Sequence, residues 1–433
     1  MHEPAFLQGR LVTGMRASLE PLRACLTRLG EPQRNFPALL ISGTNGKGSV
    51  SVTLAACVQV LGVSTGLLTS PSLRDLRELV RINGRPLHPL YLEQLSERVL
   101  LSAGAEGLTL FELLTAVAFV AFSEARVELA VVEVGMGGLR DATNLCEPVL
   151  SLITRLALDH VVELGGSLES IVHEKLGVAR PGRPLITGAT GEGRVLLEQG
   201  MSTLPGAELR VLGRDFWLDD SGFESLPEMR RVGLEPALMG GHQRQNLALV
   251  LESLACLERA GRLPEGSLQQ AALVEAVRGV YIPGRLEPLT TSTGFPFLLD
   301  GAHNPDGAEA LARALSTLWR GVPGVAMLAI FADKDVEGIL EALSPVLSGV
   351  VCVQTQAARC LSAERLGSRV RACRPSLEVL EASSVLQGLT WLERLARARN
   401  VGGVVAGSLS LVAEVHDAVG STLHLLEPGG WQP

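Results

Sequence analysis

Seven consecutive residues, Gly43-Thr44-Asn45-Gly46-Lys47-Gly48-Ser49, combine glycines, one lysine and short hydroxyl or amide side chains directly after the apolar run Pro37 to Ile41. The apolar residues of VSVTLAACVQVLG that follow can cover one helical face, so the loop opens a helix whose free N–H groups point at its ligand. Strand, glycine loop, lysine and helix together suit phosphate. The spacing departs from the common Walker A pattern, because Ile41 and Gly48 stand where that pattern has glycine and Ser or Thr. Phosphate-bound Mg²⁺ needs hard oxygen ligands. Ser49, Ser70 after GLLT, and Glu133 at the end of LAVVEV could supply them, although Glu133 could also be a capping or salt-bridged carboxylate. His160, alone, reads more readily as a hydrogen-bonded structural histidine than as a ligand. The spacing of Glu174-Lys175-Leu176-Gly177 decides nothing about Lys175.

These residues fall where a particular architecture would gather them. Apolar strands alternate with amphipathic helices: ELAVVEV at 128–134, VLSLIT at 149–154, PLIT at 184–187, then a second series from FPFLLD at 295–300. That is the pattern of α/β sheets, mostly parallel, with helices on both faces. Ligands of such sheets sit at the carboxyl ends of strands. Ser70, Glu133, Asp159-His160, Asp300 and Asp333 all follow or close apolar runs. Helices are expected from Gln243 to Gly261 and from Ser267 to Val277, ending at a hinge at Tyr281-Ile282-Pro283-Gly284. The expected domains are therefore 1–283 and 284–433.

A chain of 433 residues has the length of two or three domains. Its net charge of −8 makes neither nucleic acid nor an anionic membrane surface an expected partner. Seven cysteines without a CxxC pair argue against a disulfide framework or zinc knuckle. Residues 1–16 carry no signal-peptide core, so the expected compartment is the cytoplasm. Gly48 to Leu73 is uncharged for 26 residues, yet Gln59, Gly62 and Pro71 divide it into a helix ending near Leu61 and a strand at 64–69 rather than a membrane span.

In sequence order, LTRLGEPQRNF, SGTNGKGS, TSPSL, FELLTAVAF, VVEVGMGGLRDATN, LDHVVELGGSLESIVHEKLGV, GHQRQN, PGRLE, DGAHNPDGAEAL, ADKD and AGSLSLVAEV resemble the folylpolyglutamate synthase and dihydrofolate synthase family of Mur-type ligases. The resemblance covers nearly the whole chain. It implies a P-loop ATPase domain and a smaller Rossmann-like glutamate-ligase domain. It also implies ATP-dependent amide formation between L-glutamate and dihydropteroate or a reduced folate through an acyl phosphate, by a monomer.

On this resemblance, Lys47 and the loop Gly43 to Ser49 hold the β- and γ-phosphates. Ser70 and Glu133 bind one Mg²⁺, and Glu133 and His160 a second. Lys175 would be carbamoylated by CO₂, giving an anionic group that orients or binds the second metal. Gln243 and Asn246 lie near the nucleotide base, Arg285 contacts phosphate, and Asp300 and His303 contact the nucleotide. The domains would close on ATP around Pro283-Gly284. Asn304-Pro305 reads as a helix cap, and Phe111 to Thr115 and Ser408 receive no role.

Three departures bear on the acceptor and the lysine: Ser72 stands for the family's histidine, Leu76 to Arg81 replaces an aromatic-containing segment, and Leu176 stands for alanine. The alternatives are a Mur-type ligase acting on another carboxylate, for which the roughly 40 residues before Gly43 are too few to form the usual preceding domain, and a catalytically silent nucleotide-binding protein.

Overall fold

Every residue of β1 (Ala38–Ser42) is buried, and its alternate side chains feed opposite faces of one sheet. Ala38 and Leu40 join the core beneath the helix Leu110–Glu124, whereas Leu39 and Ile41 join the core formed with the helices Lys47–Val60 and Gly241–Arg259. A strand covered on both faces reads as an unbroken apolar run, which is how the sequence presents it.

The structure is a computed structural model and describes residues 18–103, 108–160, 163–226 and 233–420. The expectation for residues 1–16, and Val161-Val162 of the LDHVVELGG motif, lie outside the described residues. Around β1 run β2 (Thr65–Leu68), β3 (Val80–Ile82), β4 (Arg85–Pro86), β5 (Leu129–Glu133), β6 (Pro148–Ile153), β7 (Leu185–Thr187) and β8 (Leu209–Val211). They form a sheet in the order β4-β3-β2-β5-β1-β6-β7-β8, parallel except at β3 and β4. The chain leaves β1 for one side of the sheet and later crosses from β5 to β6 on the other, which makes the carboxyl end of β1 the topological switch point. Register sets Glu133 of β5 beside Ile41, two residues before the glycine loop.

A hairpin, β9 (Phe216–Asp219) and β10 (Gly222–Ser225), follows. The second sheet contains β11 (Glu287–Thr290), β12 (Pro296–Leu299), β13 (Gly324–Leu328), β14 (Leu347–Val353), β15 (Glu378–Ala382) and β16 (Gly403–Ala406). Its order is β11-β12-β16-β13-β14-β15, antiparallel only at β11. Two compact units result: one runs to Ala237 and resumes over Arg244–Val280, and the other contains Leu238–Gln243 and the chain from Tyr281.

The uncharged segment divides as expected, into the helix Lys47–Val60 and β2. Asn304 Oδ1 accepts from Gly307 N at 2.8 Å with Pro305 opening the helix, so that pair is a cap. The helix expected over Ser267–Val277 is broken: a 3-10 turn occupies Ser267–Gln269, Gln270 is extended, and an α-helix covers Ala271–Arg278. The polar Ser-Leu-Gln-Gln stretch thus serves as a turn while Leu273 and Val277 carry the buried face. All seven cysteines are free, Cys373 only half-buried. Among the described residues, no helix is long and apolar enough to cross a membrane.

Glu252 is fully buried and accepts from Arg210 Nε at 2.8 Å and Arg259 Nη2 at 3.0 Å. Glu252→Ala leaves the buried Arg210 guanidinium only the exposed Glu208 carboxylate at 3.6 Å, so urea denaturation is expected to show a loss of about 3 kcal/mol.

Candidate active site

The glycine loop closes on itself and on the exit from β6. Gly43 adopts φ +139° and Gly46 φ +91°, where L side chains are disfavoured. A Cβ on Gly43 would overlap Thr154 Oγ1, and one on Gly46 would lie 2.6 Å from Asn246 Oδ1. Thr44 N donates to Arg155 O at 2.7 Å, Thr44 Oγ1 to Ala157 O at 3.0 Å, and Thr154 Oγ1 to Asn45 O at 2.7 Å. Lys47, Gly48 and Ser49 form the first turn of the following helix, with Ser49 buried.

Lys47 Nζ folds back to donate to Gly43 O at 2.9 Å and Thr44 O at 3.3 Å. Lys175 Nζ, brought by the helix Leu168–Leu176, donates to the same Gly43 carbonyl at 2.9 Å. Its side chain is buried. Desolvation, followed by the charge of Lys47, pushes the amine down to about 7, against the opposing pull of Asp159, Asp141 and Glu174. Leu139 N donates to Glu174 O at 2.7 Å, fixing this helix against the Gly135 to Gly138 loop.

Glu133 is buried, and its Oε2 accepts from Ser70 N at 3.3 Å. A Cβ on Gly48 would make only ordinary contact with Glu133, at 3.7 Å, so this carboxylate stands against the first turn of the phosphate helix. A buried carboxylate and serine hydroxyls are hard-oxygen donor types, the chemistry that Mg²⁺ takes, and Glu133 meets Ser70 here through the Ser70 backbone N. His160 takes the left-handed region at φ +51°; its N donates to Asp159 Oδ1 at 2.9 Å, and its Nε2 lies 3.9 Å from Asp159 Oδ2. Among the described residues no group of three or more His, Cys, Asp or Glu side chains gathers in metal-holding geometry.

In the second unit, Arg285, Asp300 and His303 meet around Gly301. A Cβ there would lie 2.7 Å from Arg285 Nη1, and His303 Nδ1 is 2.8 Å from Gly301 O. Asp300 accepts from Leu286 N at 2.9 Å and Ala302 N at 2.8 Å, while burial raises its carboxyl despite Arg285. Gln243 is buried and belongs to this unit, whereas Asn246 belongs to the first. Asp333 is an exposed partner of Arg359, 3.2 Å away.

Sequence reasoning missed Thr154, the brace of the loop, and Asp141. The latter is buried, accepts from Met136 N at 2.9 Å and Thr143 N at 3.0 Å, and has its carboxyl raised by desolvation. Its signal was the aspartate of GMGGLRDATN. Phe111 shares that locality: a Cβ on Gly135 would lie 2.7 Å from its ring and 3.2 Å from Asp141 Oδ2. Thr109 and Glu112 form a capping box, which accounts for the glutamate of FELLT.

A glycine loop at the switch point of a mostly parallel sheet, joined in sequence to a second mostly parallel sheet, defines a Mur-type ATP-dependent ligase. Residues 284–409 match the model of the Mur ligase glutamate ligase domain. The chain is 35% identical over 385 residues, 82% of its length and 77% of the relative's, to a dihydrofolate synthase/folylpolyglutamate synthase of Mycobacterium tuberculosis. It resembles the structure of Mycobacterium tuberculosis folylpolyglutamate synthase complexed with ADP, with a TM-score of 0.80 and 29% identity over 94% of this chain and 96% of that one. It also resembles E. coli FolC in complex with DHPP and ADP, with a TM-score of 0.81 and 27% identity over 96% of each chain. The chain belongs to the dihydrofolate synthase/folylpolyglutamate synthase family.

Two outcomes follow from this geometry. Gly43→Ala both overlaps Thr154 and strains the backbone, so calorimetry is expected to show at least about tenfold weaker ADP binding. For Lys175 the folded state holds the amine neutral down to pH about 7, whereas the unfolded value is 10.5. Folding above pH 7 therefore releases a proton, at a cost that shrinks as pH rises towards 10.5. In CO₂-free buffer Lys175→Met is expected to stabilise the unliganded protein by about 3 kcal/mol at pH 8 and by under about 1 kcal/mol at pH 10 in urea titrations.

Proposed function

We propose that this chain uses ATP to join L-glutamate to the carboxylate of a folate-type acceptor, dihydropteroate, a reduced folate or both, releasing ADP and phosphate. The observation that carries the reading is the pair of lysines on one loop carbonyl, Lys47 and Lys175 both at 2.9 Å from Gly43 O. A site that only held nucleotide would have no use for a second, buried amine tuned towards neutrality.

Lys47 and the loop amides from Gly43 to Ser49 hold the β- and γ-phosphates. Ser49, Ser70 and Glu133 would hold one Mg²⁺, and Glu133 with His160 a second. Bound metal would neutralise repulsion between the acceptor carboxylate and the γ-phosphate. The carboxylate attacks that phosphorus to give an acyl phosphate and ADP, and the glutamate amine then displaces phosphate. Lys175, its amine pushed down to about 7, attacks CO₂ through the nitrogen of its neutral form, making the N–C bond as one C=O π pair shifts to oxygen, and loses one proton to solvent. The carbamate replaces a cation with an anion that can orient or bind the second metal. Asn246 and Gln243 serve the nucleotide base, and Arg285, Asp300 and His303 the rest of the nucleotide. The enzyme acts as a cytoplasmic monomer.

Purified protein given Mg-ATP and L-glutamate is expected to yield a glutamylated product by mass with dihydropteroate, tetrahydrofolate or each of them. Phosphate release with neither acceptor consuming glutamate would move the chain to another carboxylate within the Mur-type ligases. Glu133→Ala is expected to abolish turnover at ordinary Mg²⁺, and full activity would overturn its metal role. Lys175→Ala should lose most turnover while keeping ADP affinity within about threefold. Wild type under ¹³CO₂ should show a carbamate carbon by NMR that this variant lacks. A spectrum identical in both proteins sinks the carbamate.

A further inference from the structure

The amino edge of the eight-stranded sheet carries a second basic surface. The segments entering β1, β6 and β7, together with the turn after the helix Gly241–Arg259, line an open basin of about 570 Å³. Arg34, Arg180, Arg183 and Arg262 face it, with Glu147 as the acidic residue of its lining, in a chain of net charge −8. Two like charges 8 Å apart in water-like surroundings repel by about 0.5 kcal/mol, so such a gathering carries a standing cost that an anion would relieve.

The basin is partly organised already. Arg180 Nη2 donates to Asn144 Oδ1 at 2.8 Å and its Nη1 to Gly177 O at 3.0 Å, which fixes that guanidinium in place. Arg34 has Glu31 at 3.0 Å. Among the described residues, Arg183 and Arg262 form no side-chain ion pair or hydrogen bond, and both are exposed. Pro37, Pro148 and Pro181 stiffen the entering segments. Phe36, the aromatic residue of the lining, is only 4% exposed and offers no face on which a base could stack. The chemistry offered is thus forked N–H donors to several oxygens at once, within a volume suited to a small molecule.

We propose that this basin binds a compact polyanion bearing several phosphate or carboxylate groups on a short frame, at a site separate from the nucleotide loop. β1 spans the sheet between them, and its five residues at ~3.3 Å each put the two edges roughly 15 Å apart.

The test is calorimetric titration of the full chain, held saturated with Mg-ADP at fixed ionic strength, with tripolyphosphate in one arm and citrate in the other. At least one probe is expected to bind wild type. The Arg183→Gln/Arg262→Gln double variant should weaken that binding by about tenfold or more, with ADP affinity unchanged. Response to tripolyphosphate alone assigns a phosphate source, to citrate alone a polycarboxylate source, and to both the shared chemistry. Glu147→Gln keeps every arginine and should tighten binding about threefold, which provides a reading even if the double variant fails to fold. Equal affinity of wild type and both variants, or no binding of either probe to wild type at about 10 mM, overturns the proposal.

Discussion

One backbone carbonyl organises the catalytic edge of this protein. Gly43 O accepts both Lys47, four residues on along the chain, and Lys175, 132 residues on. Two lysine amines converge there where the loop turns through a conformation that favours glycine and Thr154 occupies the space a side chain would take. Water is excluded from the second amine, so burial and like charge drive it towards neutrality. The result is two lysine amines on one carbonyl, the second of them buried. It is also a strained and electrostatically unfavourable arrangement, of the sort a stable frame must impose.

That frame is the pair of cores on the two faces of β1. Because alternate residues of β1 belong to different cores, sliding the strand by one residue would exchange its faces and displace the loop, so its register is strongly determined. The same register brings Glu133 level with Ile41 and next to Ser70, which follows β2. Metal-binding candidates from separate strands are therefore placed by the hydrogen-bond ladder of the sheet, without needing contacts between them to define the site.

Local chemistry was legible in the sequence wherever adjacent residues carried it. The glycine loop announces itself by composition, Glu133 by closing an apolar strand, and Asn304-Pro305 by helix-capping preference. Lys175 was not legible from spacing, because its burial and its partner depend on a helix docking more than a hundred residues from the loop; the family resemblance, not the pattern, drew notice to it. Thr154 escaped for the same reason, since its partner lies in a loop made adjacent only by the sheet, whereas Asp141 bonds within its own loop, to Met136 N and Thr143 N, and only its burial marks it out. The helix expected to start at Ser267 starts instead at Ala271, where polar turn chemistry prevails over periodicity.

The departures from the family pattern fall into two physically separate groups. Leu176 enlarges the residue after the buried lysine, and the fold accommodates it at Gly200, where any side chain would overlap the leucine methyl. The helix carrying Lys175 can therefore keep its position with the larger residue. The segment from Ser72 to Arg81 is different, for it is arranged around a carboxylate of its own: Glu78 collects Leu73 N at 2.7 Å, Asp75 N at 3.0 Å and Arg74 N at 3.2 Å. None of those bonds involves Lys47, Glu133 or Lys175. The loop is thus arranged around the Glu78 carboxylate, whereas the two lysines are arranged around Gly43 O, so two separate acceptors of hydrogen bonds organise the two segments in which the departures fall.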